Sequence, residues 1–321
     1  MKVRSLFILL VVLLASCTSA PVTSQPEMES VSQPAMATDV VPEQNATTIP
    51  QAVETITEEI PATAMPRPTL ALDEWKSLPI VPTVSDAMKD VYKRGLAMGR
   101  DPHAFAKVGD CQTNTGFYLV DFDHEDRYSL GEEYSYLQDT IDYYAGSFSR
   151  TSLAMRDGYN VAAILTPLRA DPTQCEKNEH PIACEFRLHN PSVAIISLET
   201  NFNDRPADDY GRYMRQIIEY SIEQGVVPIL ATKGDNLEGD HSINAEIAKI
   251  AMEYDIPLWN FWAALQPLPN TGFDTELNDG FHLSFSRNFF DQPQNMQRGW
   301  PWRNLTALQA LDAVRKELQE Q

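Results

Sequence analysis

Basic residues are scarce in this chain. Lys and Arg number 25 against 45 Asp and Glu, giving a formal net charge of −20 over 321 residues. That balance argues against nucleic acid and against electrostatic docking onto anionic lipid, because both require basic patches. A long apolar segment is also missing: the unbroken run at residues 6–14 falls well short of the roughly 20 residues a membrane-spanning helix needs. Residues 18–68 hold no aromatic residue, no glycine and no basic residue except Arg67, while Pro, Thr, Ser, Val, Ala and Glu dominate. Such a segment cannot bury enough apolar surface to offset its ordering entropy. It reads as a disordered, acidic, Pro-stiffened tether. With only 4 cysteines in the whole chain, each one can be considered individually.

The N-terminal end supplies a destination. Lys2 and Arg4 precede the apolar run, and Leu14-Ala15-Ser16-Cys17 closes it. A short apolar core with basic residues before it and small residues after it is a secretory signal. The closing tetrapeptide resembles the bacterial lipobox, which implies a lipidated Cys17 as the mature N-terminus; cleavage nearby with an incidental cysteine is the alternative. The expected organisation is a lipoprotein signal peptide at 1–16, the tether at 17–71 and one folded domain at 72–321, anchored by lipid on the extracytoplasmic side of a bacterial cell envelope. All 5 Trp and all 12 Tyr fall in that last segment, which is long enough for one sizeable core.

If Cys17 carries lipid, Cys111, Cys175 and Cys184 remain in an exported domain, and an odd number leaves one unpaired within the chain. Cys175 and Cys184 flank a polar stretch, Glu176-Lys177-Asn178-Glu179-His180-Pro181, which favours a disulfide closing a short loop in an oxidising compartment. Cys111 would then be free. A bridge from Cys111 to Cys175 or Cys184 is the competing connectivity, and it would make the Cys111 segment structural.

Apolar patterning indicates an α/β fold. Residues 193–198 form a nearly continuous apolar run, expected for a strand buried on both faces. Residues 209–224 carry Tyr210, Tyr213, Met214, Ile217, Ile218 and Ile222 at helical spacing, with Gly225 as a stop. Residues 226–230 read as a strand, with Pro228 an objection to a central place in a sheet. A helix capped by Asn244 and a short strand at 256–259 follow. A last helix beginning at Asn304 or Thr306 presents Ala307, Leu308, Leu311, Val314 and Leu318 as an apolar stripe. Alternation of this kind predicts a three-layer α/β/α arrangement around a mostly parallel central sheet, with functional residues beyond the carboxyl ends of the strands.

Two short motifs carry the chemistry. Gly109-Asp110-Cys111-Gln112-Thr113 follows the mostly apolar residues 104–108, and Asp279-Gly280-Phe281-His282 lies some 170 residues later. A Gly-Asp pair at a strand end turns the chain sharply and exposes the next side chain, here a thiol. An acid and an imidazole three residues apart can share one turn, with the carboxylate orienting the ring. The first motif resembles the opening block of the SGNH/GDSL hydrolases, Gly-Asp-Ser-x-Thr, with cysteine at the serine position; Asp279 and His282 resemble that family's closing Asp-x-x-His. Residues 193–201 resemble its central strand and Gly-x-Asn-Asp block, although the Asn203-Asp204 pair offers a competing alignment.

The resemblance implies an SGNH-hydrolase-like, flavodoxin-like fold and a Cys-His-Asp acyl-transfer site. Cys111 would be the nucleophile, His282 the base and Asp279 its orienter. Asn201 and the backbone N–H of Gly146 would form the oxyanion hole. The implied substrate is a small ester or an acylated carbohydrate, the protein is expected to be a monomer, and no cofactor or metal is required. The rival is a catalytically silent binding lipoprotein that holds glycan or peptide in the same cleft. In that setting Trp259, Phe261, Trp262, Trp300 and Trp302 would either stack sugar rings or belong to the core. Arg150, Thr151 and Ser152 would either cap the next helix or bind substrate oxygens. The loop at 233–241 offers oxygen ligands and His241 but matches no calcium-loop or zinc spacing, and is expected to be a solvated loop rimming the pocket.

Overall fold

A computed structural model describes residues 71, 73–114, 116–198, 202 and 204–320. Residues 1–70, which hold the expected signal, Cys17 and nearly all of the expected tether, lie outside the described residues, as does Asn201. Six strands and seven α-helices appear among those described. In chain order they are α1 (Asp86–Ala97), β1 (Asp101–Gly109), β2 (Tyr128–Ser129), α2 (Gln138–Tyr143), α3 (Pro181–His189), β3 (Pro191–Ser197), α4 (Ala207–Glu223), β4 (Val227–Ala231), α5 (Ser242–Tyr254), β5 (Leu258–Trp259), α6 (Phe261–Leu265), β6 (Asn288–Phe289) and α7 (Gly299–Gln319).

The main sheet runs β1-β3-β4-β5 with every pair parallel, and β2 and β6 make a small parallel pair of their own. Helices α3, α4 and α5 form one layer: α4 lies against α5, and His180 at the cap of α3 and Phe186 within it meet Tyr220 of α4. Helix α7 lies against α1, α2 and α6 in the other. The fold is therefore a three-layer α/β/α sandwich. Strands β3 and β4 are buried along their whole lengths, the expected state of parallel strands covered by helices on both faces.

Pro228 is accommodated inside β4 by the staggering of the strands. Leu230 N–H donates to Pro257 O and Thr232 N–H to Trp259 O, so the even-numbered amides of this strand face β5. Pairing with β5 begins only at Leu230↔Leu258. The donor that proline lacks thus falls where no partner strand exists. Pro102 is handled by irregularity in β1, where the register against β3 shifts between Asp101 and Phe105.

Helix α7 begins five residues before Asn304. Pro301 sits in its first turn, where a missing N–H leaves no intrahelical bond unmade. Asn304 is a buried clamp rather than a cap: its Oδ1 accepts from Leu119 N–H (2.8 Å) and its Nδ2 donates to Phe117 O (2.7 Å). Asn244 is likewise no cap. It lies inside α5 and bonds both the N–H and the C=O of Lys233 (2.8 and 3.0 Å).

Cys175 and Cys184 are disulfide-bonded and Cys111 is free. Arg150 serves the scaffold, pairing with the buried Glu185 (2.7 Å) and donating to Phe105 O. Beside it Lys107 of β1 is buried and donates to Phe148 O (2.6 Å). Burial and the Arg150 charge push the Lys107 amine down to about 8, against the pull of Glu185 and Asp123.

Candidate active site

Strand β1 ends in a turn whose residues each have a local task. Thr113 N–H and Asn114 N–H both donate to Asp110 O (3.0 and 2.7 Å), and Asp110 Oδ1 accepts from Gln112 N–H (3.0 Å). Thr113 Oγ1 reaches Ser197 O at the end of β3 (3.4 Å). A Cβ on Gly109 would stand 2.2 Å from Thr113 Oγ1, so only glycine lets the turn close on itself. Cys111 is left half-buried at the carboxyl end of β1. Burial, assisted by the Asp110 and Asp157 carboxylates, pushes its thiol up to about 11; the N–H groups of Gln112 and of Cys111 itself pull the other way.

The second motif folds around its own carboxylate. Asn278 and Gly280 both take positive φ (49° and 80°), which brings the intervening Asp279 back over the chain. Asp279 Oδ1 accepts from the N–H groups of Phe281 (3.2 Å) and His282 (3.0 Å), and Oδ2 takes the Nδ1–H of the His282 ring. Burial raises the Asp279 carboxyl, but the His282 ring and the two backbone donors outweigh it and hold the group below the usual carboxylate range. With Nδ1 committed, Nε2 is the ring atom left to exchange a proton, and the side chain is 45% exposed. Ser284 anchors the end of the loop, its hydroxyl donating to Gly272 O and accepting from Gly299 N–H.

Gln112 joins the two motifs. Its Nε2 donates to Phe281 O (2.9 Å), linking the residue beside the thiol to the residue beside the imidazole. Among the described residues no hydrogen bond connects Cys111 to His282 directly. The structure thus brings the Cys111 turn and the Asp279–His282 pair to one end of the sheet, with an amide clasp between them. Asp157 completes the rim, accepting from Asn114 Nδ2 (2.9 Å).

Gly146 does not join this group. Its N–H donates to Asp123 Oδ1 (2.7 Å), while the neighbouring Ser147 and Phe148 bond to Phe105 and Lys107 in the middle of β1. Alongside Gly109 runs a different segment: Ala154 O accepts from Gly109 N–H, and Arg156 N–H donates to Gly109 O. The resemblance implies a role for Gly146 from its place along the chain, and that place says nothing about which residue pairs at the strand's end.

The loop beyond β4 also departs from expectation. Lys233, Asp235 and Glu238 are buried rather than solvated, with Lys233 Nζ bonded to both carboxylates. The His241 ring packs against Trp75 and Trp262 (centroids 5.8 and 5.7 Å). Among the described residues the one grouping of three metal-type ligands is Cys175, Glu179 and Cys184, whose two sulfurs are spent in the disulfide. Trp259, Phe261 and Trp300 are core residues. The exposed aromatics near the motifs are Phe117 (46%) and Phe285 (55%), with ring centroids 4.7 Å apart. Sequence reasoning passed over Gln112, Asp157 and Arg303. Gln112 lay within a motif already marked, whereas only the fold reveals the contacts of the other two. Comparison with protein-family models and with curated proteins finds no match to this chain.

Proposed function

We propose that this protein is an SGNH-like hydrolase that cleaves a small ester or an acetyl group, such as one carried on carbohydrate, at the extracytoplasmic face of a bacterial envelope to which Cys17 tethers it. The observation carrying this reading is the Asp279–His282 pair, with Nδ1 committed and Nε2 available, held through Gln112 to the turn that bears Cys111. Cys111 Sγ attacks the carbonyl carbon as His282 Nε2 takes the thiol proton, giving a tetrahedral intermediate. Collapse expels the alcohol, which receives that proton, and leaves a thioester on Cys111. Water, deprotonated by His282, then releases the acid and restores the thiol. The oxyanion is assigned to Cys111 N–H and Asn201. A thiol pushed up to about 11 is protonated at neutral pH, so attack depends on the base rather than on a preformed thiolate.

That same raised thiol favours one second reading, a silent member of the fold that binds glycan without turnover. Mass spectrometry of the reduced protein with an activated short-chain aryl ester separates the two. The hydrolase reading expects an acyl-enzyme on Cys111 and turnover abolished by Cys111→Ala and by His282→Ala. Glycan binding unchanged in Cys111→Ala, with no acyl-enzyme in the wild type, selects the binding protein.

A further inference from the structure

Behind the clasp lies a cavity of about 10 Å3 lined by Gln112, Asp235, Phe281 and Arg303 among others. Two polar atoms of its walls are buried without a hydrogen-bond partner, Gln112 Oε1 and Arg303 Nε. One is an acceptor and the other a donor, and both side chains are more than nine-tenths buried, at 6% and 1% exposure. Leaving either unmade is costly, because the buried group loses its bond to water without replacement. That space is about the least that admits one water, and a buried water is favoured where two to four polar groups converge.

Charge points to the same place. Arg303 rests on the faces of Tyr118, Trp259 and Phe261 and donates through Nη2 to Ser197 Oγ (2.8 Å). None of the ion pairs among the described residues includes it. Lys233, next in the chain to Gly234 of the lining, has two carboxylates, Asp235 and Glu238. One cation has a surplus partner and the other has none, so the four charges balance only as a group. Asp235 and Arg303 both face the cavity.

We propose that one buried water occupies this cavity, accepting from Arg303 Nε–H and donating to Gln112 Oε1 and to the Asp235 carboxylate. Through it the neutral charge cluster fixes the Gln112 amide, and Gln112 fixes the His282 loop against the Cys111 turn. Gln112, Arg303 and Asp235 are positioning residues. The effect on turnover rests on the hydrolase reading; the water and the charge coupling do not.

A crystal structure of the wild type resolving internal waters should show one within about 3 Å of both Arg303 Nε and Gln112 Oε1; a direct Arg303–Gln112 bond, or no density there, overturns the proposal. Arg303→Met should lower Tm, and adding Asp235→Asn should recover part of the loss by restoring neutrality. A double variant whose Tm loss is the sum of the two single losses refutes the coupling. Gln112→Met should shift the His282 ring resonances followed by NMR at one fixed pH and lower kcat on a short aryl ester by about a hundredfold, with KM changed less. Unmoved His282 ring resonances refute the positioning role even if no ester is turned over, whereas absent turnover with shifted resonances counts against the hydrolase reading alone.

Discussion

Two turns at the carboxyl end of the sheet begin with the same dipeptide and end with different chemistry. Gly109 is the last residue of β1 with Asp110 just beyond it, and Gly234-Asp235 begins three residues beyond the end of β4. Each aspartate accepts from the N–H two residues on, Asp110 from Gln112 (3.0 Å) and Asp235 from Leu237 (3.2 Å). At each glycine a Cβ would stand within 3 Å of another atom. Yet the first turn leaves a half-buried thiol next to the Gln112 amide that bonds Phe281 O, whereas the second closes over Lys233 and buries its charge. The hydrogen-bonded aspartate builds a turn and no more. Function depends on the side chain that follows and on what the rest of the fold brings opposite it.

The largest expected effect comes from adding one carbon to each turn. In Gly109→Ala the new Cβ would lie 2.2 Å from Thr113 Oγ1 and 2.3 Å from Thr113 Cβ, an atom rooted in the turn itself. In Gly234→Ala the nearest atom is Leu265 Cδ1 at 2.6 Å, the free end of a side chain. Gly109→Ala should therefore cost about 1–3 kcal/mol in urea unfolding and, by displacing Cys111, lower the turnover expected of the proposed hydrolase by about a hundredfold or more. Gly234→Ala should unfold at a urea concentration closer to wild type. Equal midpoints would erase the distinction between the turns.

A smaller effect tests the electrostatics of the first turn alone. Burial and the Asp110 and Asp157 carboxylates move the Cys111 thiol from 9.0 to about 11, which leaves about a hundredfold less thiolate at pH 7. Alkylation by iodoacetamide should be correspondingly slow at pH 7 and rise about tenfold per pH unit until near pH 11. Asp110→Asn should quicken it. Rapid alkylation at pH 7 would instead mean that His282 holds the thiol as an ion pair, with a thiolate already formed.

Much of this was legible in the sequence, for stated physical reasons. Residues 193–198 are apolar except for Ser197 because β3 is covered on both faces, and the 3.6-residue spacing of Tyr210, Met214, Ile217 and Ile218 marks the buried side of α4. The polar stretch between Cys175 and Cys184 is short enough for the bridge that forms. What the sequence concealed was contact at long range. Asn244 and Asn304 read as caps because asparagine commonly ends helices, and nothing local shows that their amides reach Lys233, Phe117 and Leu119. Nor does anything near Lys233 reveal that it is buried. Pro228 looked disruptive only while the length of its neighbour β5 was unknown. The role that the resemblance implies for Gly146 rests on its place along the chain, which does not determine which segment lies alongside Gly109.

The smallest effect concerns a third turn of the same construction. Asp279 also uses one oxygen to hold the N–H two residues on, but it gives the second to an imidazole. Its folded pKa lies below the ordinary 3.8. A depressed carboxyl contributes stability that is present above its unfolded value and is lost as pH falls through the folded one. Wild type should therefore lose part of its stability on acidification below about pH 4. Asp279→Asn keeps an oxygen for the backbone donors but loses the charge, so at pH 7 it should be less stable by about 1 kcal/mol or less, since the pair is partly exposed. Its stability should also fall less between pH 4 and pH 2. Urea midpoints of both proteins across that range measure the difference. Parallel curves would mean that the second oxygen adds nothing to folding and serves only to aim the ring, leaving all three aspartates equal as turn-formers and distinct only in what their turns present.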